Sequence, residues 1–176
     1  MYIFLDIDGV LNGDQEYSRL RKSLRDAGLL SHKQSVLDLK PEHAREEHLL
    51  MLLSGEKISI LNELIQKTGA EIILSSTWRN SDNLWGFEAE TLLKKAGFQG
   101  KIAGKTGESL DSRGAEIARK IKSMALEDGD YIILDDDPTT KDARILTGSR
   151  NRWIRTATSK GLTPRHLSQA LDLLAP

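Results

Sequence analysis

An apolar run, Tyr2-Ile3-Phe4-Leu5, passes directly into Asp6-Ile7-Asp8-Gly9, and this junction constrains the chain more than any other stretch. Aromatic and β-branched residues favour an extended strand. Open α/β sheets gather their ligand-binding groups at the carboxyl ends of their strands, so the junction points to that fold class and to a site at that end. Side chains alternate along an extended segment, and Asp6 and Asp8 therefore share a side for as long as extension lasts. Gly9 permits the sharp turn that follows, because it carries no Cβ. One carboxylate can attack phosphorus, while a second protonates a leaving oxygen and later deprotonates water. Two carboxylates beside a phosphate dianion repel one another, and Mg²⁺ held by carboxylate and phosphate oxygens relieves that repulsion. A pair of solvated acids in a strand-to-helix loop is the plainer reading of the same residues.

Three more segments bear on that choice. Glu71-Ile72-Ile73-Leu74 is an apolar strand ending in Ser75-Ser76-Thr77-Trp78-Arg79, and Tyr131-Ile132-Ile133-Leu134 ends in Asp135-Asp136-Asp137. Between them, Asp111-Ser112-Arg113-Gly114-Ala115-Glu116 reads as a helix start with a cation in its first turn. In this order the four segments resemble the motifs of the haloacid dehalogenase (HAD) superfamily of aspartate-nucleophile phosphatases, over almost the whole chain. The resemblance implies that Asp6 is the nucleophile and Asp8 the general acid and base, and that Ser75 hydrogen-bonds the transferring phosphoryl group. It also implies Mg²⁺ on Asp136 with Asp135 beside it, completed by the Asp6 carboxylate and the Asp8 backbone carbonyl. The family usually has Lys where Arg113 stands. Arg neutralises a phosphate as well, through a planar fork that meets two oxygens, and Lys105 is the competing cation. Gly9, Ser76 and Thr77 fall where they would cradle phosphate.

A narrower likeness rests on Leu61-Asn62-Glu63-Leu64, Thr68-Gly69-Ala70, the Ser-Ser-Thr-Trp-Arg run and Gly161-Leu162-Thr163. These resemble a compact bacterial and phage subgroup found alone and in RNA-repair ("Swiss army knife") proteins. That likeness implies a substrate among nucleic-acid terminal phosphates, RNA or DNA, or nucleotides. A small metabolite such as a sugar phosphate is the alternative, and a non-catalytic phosphate-binding module on the same fold is a third reading. Arg79 would pair with a second phosphate or satisfy a carboxylate, and Trp78 would stack on a base or pack in the core.

The chain has 176 residues and no Cys, which fits a single domain without disulfides or thiolate metal sites. Neither a basic, apolar leader nor a membrane-length apolar run is evident, and the expectation is a cytoplasmic protein with no obligate protein partner. A net charge of −1 argues against a general nucleic-acid coat. Basic residues nonetheless gather after the acidic run Asp135-Asp136-Asp137: Lys141, Arg144, Arg150, Arg152, Arg155, Lys160 and Arg165 stand against Asp142. That segment either lines the entrance for a polyanion or forms a solvated surface. The four histidines, His32, His43, His48 and His166, lie outside the motifs and read as structural or surface residues.

Apolar periodicity predicts helices over 14–27, 42–53 behind Pro41, 56–67, 84–96, 113–124 and 164–174, and strands near 101–103 and 152–156. Strands alternating with helices imply a Rossmann-like, three-layer α/β sandwich around a parallel sheet. Residues 1–176 then form one HAD-like domain. About sixty residues separate the first two strands, against roughly thirty for a simple βαβ unit. The excess, 14–53, reads as a small helical cap or flap, or else as a hairpin packed on the sheet edge.

Overall fold

In the computed structural model, which describes residues 1–107, 112–141 and 152–174, five parallel strands lie in the order β3-β2-β1-β4-β5. They are β1 (Tyr2–Leu5), β2 (Glu71–Leu74), β3 (Ile102–Lys105), β4 (Tyr131–Asp135) and β5 (Trp153–Arg155). The chain starts at the centre, moves outward through β2 and β3, then returns to the other flank of β1. Strand order therefore reverses between β1 and β4, which is where such sheets open a crevice for ligands. Leu5 pairs in register with Leu74 on one side and Leu134 on the other, so the Asp6, Ser75 and Asp135 positions start level with one another.

The two-residue period of the strands divides the core. Ile3, Leu5, Ile72, Leu74, Ile132 and Leu134 enter one apolar cluster, while Phe4, Ile73, Tyr131 and Ile133 enter a second. The first face is covered by α1 (Asp14–Asp26), α3 (Gly55–Thr68), α4 (Ala89–Lys95) and α6 (Pro164–Leu174), and the second by α5 (Arg113–Ser123). Ile117, Ala118 and Ile121 lie on one side of α5 because three- and four-residue steps return to one helical face. They pack beside Phe4 and Tyr131, whose rings meet edge to face at 5.8 Å. Burial of a side chain such as Ile117 or Leu61 contributes about 1.5–3 kcal/mol. α3 ends at Gly69, which takes a left-handed φ of 65° and donates its N–H to the Ile65 carbonyl.

Two expected helices are interrupted. Pro41 starts only a 3₁₀ turn, Pro41–His43, and α2 (Glu46–Met51) begins afresh, with His48 Nδ1 accepting the Arg45 N–H at 3.2 Å. The helix expected over 84–96 is split into a 3₁₀ turn, Ser81–Leu84, and α4, because Trp85 (φ 52°) and Gly86 (φ 90°) both leave the right-handed region. Residues 14–53 contain α1, two 3₁₀ turns (Val36–Asp38 and Pro41–His43) and α2, joined by irregular chain. Leu20, Leu24, Val36, Leu39 and Leu49 of this segment join the same cluster as the sheet, so its apolar side is continuous with the core. Lys57 of α3 pairs with Glu16 of α1 at 3.2 Å, with both side chains buried. Among the described residues no helix is long and apolar enough to cross a membrane. Asp111 and the stretch carrying Asp142, Arg144 and Arg150 lie outside the described residues.

Candidate active site

Strand ends bring three carboxylates together. One oxygen from each of Asp6, Asp135 and Asp136 lies within 4.8 Å of the others. Asp6 is 5 % exposed, and its Oδ1 accepts the Ile7 N–H at 2.8 Å and lies 3.6 Å from Arg113 Nη1. Burial pushes its pKa up to about 6; Arg113 and the Ser76 hydroxyl pull the other way, and Asp8 adds to the rise. Asp135 is fully buried, and its Oδ1 accepts the Asp137 N–H at 2.8 Å. Burial, then the charge of Asp6, raises its pKa to about 8. Asp135 Oδ2 is buried with no hydrogen-bond donor. A buried carboxylate with a donor-free oxygen, grouped with two further carboxylates, suits a hard divalent cation with oxygen ligands, and the three residues fit Mg²⁺.

Asp136 is placed by its neighbours. Thr158 donates its hydroxyl to Asp136 Oδ2. Gly9 has a φ of 71°, and a Cβ there would stand 2.3 Å from Asp136 Oδ2. Glycine is thus required twice over, by the backbone and by the carboxylate against it. The Gly9 N–H donates to Asn12 Oδ1 at 2.8 Å, and its carbonyl accepts the Thr156 hydroxyl at 2.6 Å. Its expected place in a phosphate cradle is corrected accordingly: both backbone groups are bonded within the protein, and Gly9 serves as clearance for Asp136.

Asp8 stands apart from that cluster in a frame of three donors. Its Oδ1 accepts from Asn12 Nδ2 and the Tyr17 hydroxyl, each at 2.9 Å, and its Oδ2 accepts from Trp78 Nε1 at 3.0 Å. Burial and the Asp8 charge push the Tyr17 pKa far up, so the phenol stays a donor at any physiological pH. Neither Tyr17 nor Asn12 is among the site residues expected from the sequence. The available signal was local: an Asn four residues beyond an Asp across a glycine turn can reach back to it.

Other expected residues divide. Arg113, the first residue of α5, stands beside Asp6, whereas Lys105 Nζ is exposed and donates to the Arg79 carbonyl at 2.8 Å. Arg79 is occupied: Nη2 reaches the Glu116 carboxylate at 3.0 Å and 3.2 Å, and Nη1 donates to the Ser75 and Ser76 carbonyls. It buckles the turn after β2 to α5, so its substrate contact is corrected to the carboxylate alternative. Lys105 is tied to that same turn. Strand alternation ends at Leu74; in the turn that follows both serines are fully buried, Ser76 Oγ accepts the Trp78 N–H at 3.3 Å, and Ser75 Oγ has no partner. Thr77 is exposed, and Trp78 is buried against the core with its indole N–H on Asp8.

Beyond Asp8 opens a cavity of about 330 Å³, between residues of the 14–53 segment and the turns after β2. Val36, Leu49 and Leu52 form one wall, and Trp78, Leu84 and Trp85 the other. Of the basic segment, Arg152 is fully buried and donates to the Leu173 carbonyl at the end of α6, while Arg155 Nε donates to the Asp136 carbonyl at 3.3 Å.

The strand order, the level strand ends and the acids upon them can be set beside known proteins. No curated protein matches the chain. Among solved structures, a chain described as a predicted HAD-like family hydrolase from Porphyromonas gingivalis is similar at 12 % identity with a TM-score of 0.48, over 97 % of each chain. A family model described as the HAD domain in Swiss Army Knife RNA repair proteins matches residues 2–167, a span that includes every residue of the site. The chain belongs to that family of HAD domains.

Proposed function

We propose that this protein is a Mg²⁺-dependent phosphomonoesterase that works through an aspartyl-phosphate on Asp6. The observation that carries the reading is the separation of two acids in two environments. Asp6 lies in the buried acidic cluster beside Arg113, and Asp8 lies in a cage of donors and lines a cavity. Pairs of titratable groups held in different surroundings divide nucleophile from acid and base.

Asp6 attacks phosphorus as the bond to the leaving oxygen breaks, and Asp8 gives that oxygen its proton. Asp8 then takes a proton from the water that attacks the aspartyl-phosphate, which frees the Asp6 carboxylate and phosphate. Arg113 offers its guanidinium to the equatorial oxygens, where charge spreads in a phosphoryl transition state. Ser75, whose buried hydroxyl has no partner within the protein, hydrogen-bonds the transferring phosphoryl group, and Thr77 lies exposed two residues on. Asp6, Asp135 and Asp136, with the Asp8 backbone carbonyl, are the groups that would hold Mg²⁺; when bound it offsets the charge of the clustered carboxylates and the phosphate.

The substrate we favour is a nucleic-acid terminal phosphate or a nucleotide, supported by the family's description from RNA repair proteins and by Arg155 beside Asp136. Phosphate release should be measured from oligonucleotides with 3′ or 5′ phosphates, nucleotides and sugar phosphates, with Mg²⁺ and with chelator. Metal-dependent release lost in Asp6→Asn and Asp8→Asn is expected. Equal release by wild type and Asp6→Asn would overturn the assignment.

A further inference from the structure

The cavity beyond Asp8 is continuous with the reaction centre, since the carboxylate proposed to protonate the leaving oxygen forms part of its wall. Whatever is bonded to that oxygen must therefore start at Asp8 and extend into or across this space. The walls are mainly apolar, with Thr77 and Asn83 exposed at the rim and Asn83 Nδ2 donating to the Thr77 carbonyl at 2.8 Å. A volume near 330 Å³ lies at the small end of the roughly 300–1,000 Å³ of ligand sites, enough for one ring system and not for several.

Two tryptophans face the cavity, but they are not equivalent. Trp78 is 4 % exposed and its indole N–H is spent on Asp8. Trp85 is half-buried and sits at a φ of 52°, a left-handed conformation that bulky residues rarely adopt. Its side chain packs in part against the core and lines the cavity, and Gly86 follows at a φ of 90°, so the chain turns away immediately after it. Such an arrangement is suited to stacking on a flat π-surface, which every nucleobase has.

We infer that this cavity seats the nucleobase of the leaving nucleoside, stacked on Trp85, so that Trp85 determines preference for a nucleoside phosphate over a base-free sugar phosphate. The inference rests on the phosphatase reading above for the direction of the leaving group. It assigns Trp85, and not Trp78, as the stacking partner.

The test compares adenosine 5′-monophosphate, adenosine 3′-monophosphate and ribose 5-phosphate by calorimetric binding to the Asp6→Asn protein and, separately, by kcat/KM in the otherwise unaltered enzyme. Each is measured with Trp85 intact, with Trp85→Phe and with Trp85→Ala. The expected result is a nucleotide preference that Trp85→Ala narrows about tenfold or more and that Trp85→Phe largely keeps. Nucleotide and ribose phosphate binding equally to the parent, or weakened equally by Trp85→Ala, would overturn the inference. Trp85-dependent nucleotide binding without phosphate release would keep the pocket and remove the phosphatase reading. Release without any Trp85-dependent preference would do the reverse.

Discussion

Asp8 accepts three hydrogen bonds from three separate parts of the chain: the turn at Asn12, the first turns of α1 at Tyr17, and the segment after β2 at Trp78. Such a frame fixes both carboxylate oxygens and, under the proposed mechanism, the direction from which Asp8 would give a proton to a leaving group. Tyr17→Phe removes one donor while keeping the ring, and we expect kcat to fall about tenfold with KM little changed. Asp8→Asn should cost roughly 10²–10⁴ in kcat, the range of a positioned acid. Steady-state kinetics on the best substrate checks both, and a Tyr17→Phe effect confined to KM would count against a positioning role. Asp6, Asp8 and Arg113 were singled out in the sequence by the resemblance of its motifs, while periodicity located the strand ends and the helix start that carry them. Tyr17 and Asn12 were not, since each depends on how the turn after β1 folds back on Asp8, where alternation stops being a guide.

Between elements, Lys57 of α3 and Glu16 of α1 form a buried ion pair, 10 % and 5 % exposed in their side chains. Removing one partner leaves an uncompensated charge, so Lys57→Met should destabilise by about 3–5 kcal/mol, while Glu16→Leu combined with Lys57→Met should recover most of the loss. Urea denaturation of the single and double variants measures this, and additive losses would argue against the pairing. A second prediction concerns two histidines that serve as N-terminal acceptors. His48 Nδ1 takes the Arg45 N–H and His166 Nδ1 the Thr163 N–H. Burial lowers the pKa of both below the ordinary 6.5. The unfolded chain then binds more protons near that pH, so their share of stability is full above about 6.5 and is lost as pH falls below it. Replacing both with Gln should flatten the change in stability between pH 7.5 and 5.5, as read by denaturant midpoints. Helix identity was legible from apolar spacing. The break at Trp85 and Gly86 was not, because helical spacing continues through residues whose backbone has already turned left-handed.

Across the molecule, the first strand's turn is held by the last third of the chain. Thr156 donates to the Gly9 carbonyl, the Leu162 N–H donates to the Val10 carbonyl, and Thr158 holds the Asp136 carboxylate that Gly9 leaves room for. The parallel order of the strands could be read from the alternation of strands and helices. This closure could not, since it joins segments some 150 positions apart in the sequence. It predicts that damage at Gly9 appears as loss of cation binding before loss of fold. A Cβ at Gly9 would lie 2.3 Å from Asp136 Oδ2, which forces the carboxylate out of the cluster of Asp6, Asp135 and Asp136. A cation that binds only the folded state stabilises it by RT ln(1 + [L]/Kd), about 2.7 kcal/mol at a hundred times Kd. Wild type should therefore melt higher with saturating Mg²⁺ than with chelator, and Asp135→Asn should lose most of that difference. Gly9→Ala should lose it as well, while its melting temperature in chelator falls by only the smaller amount due to its positive φ. Thermal melts of the three proteins with and without Mg²⁺ settle the matter. An undiminished Mg²⁺ shift in Gly9→Ala would mean that Asp136 is free to move and that the clearance at Gly9 does not position it.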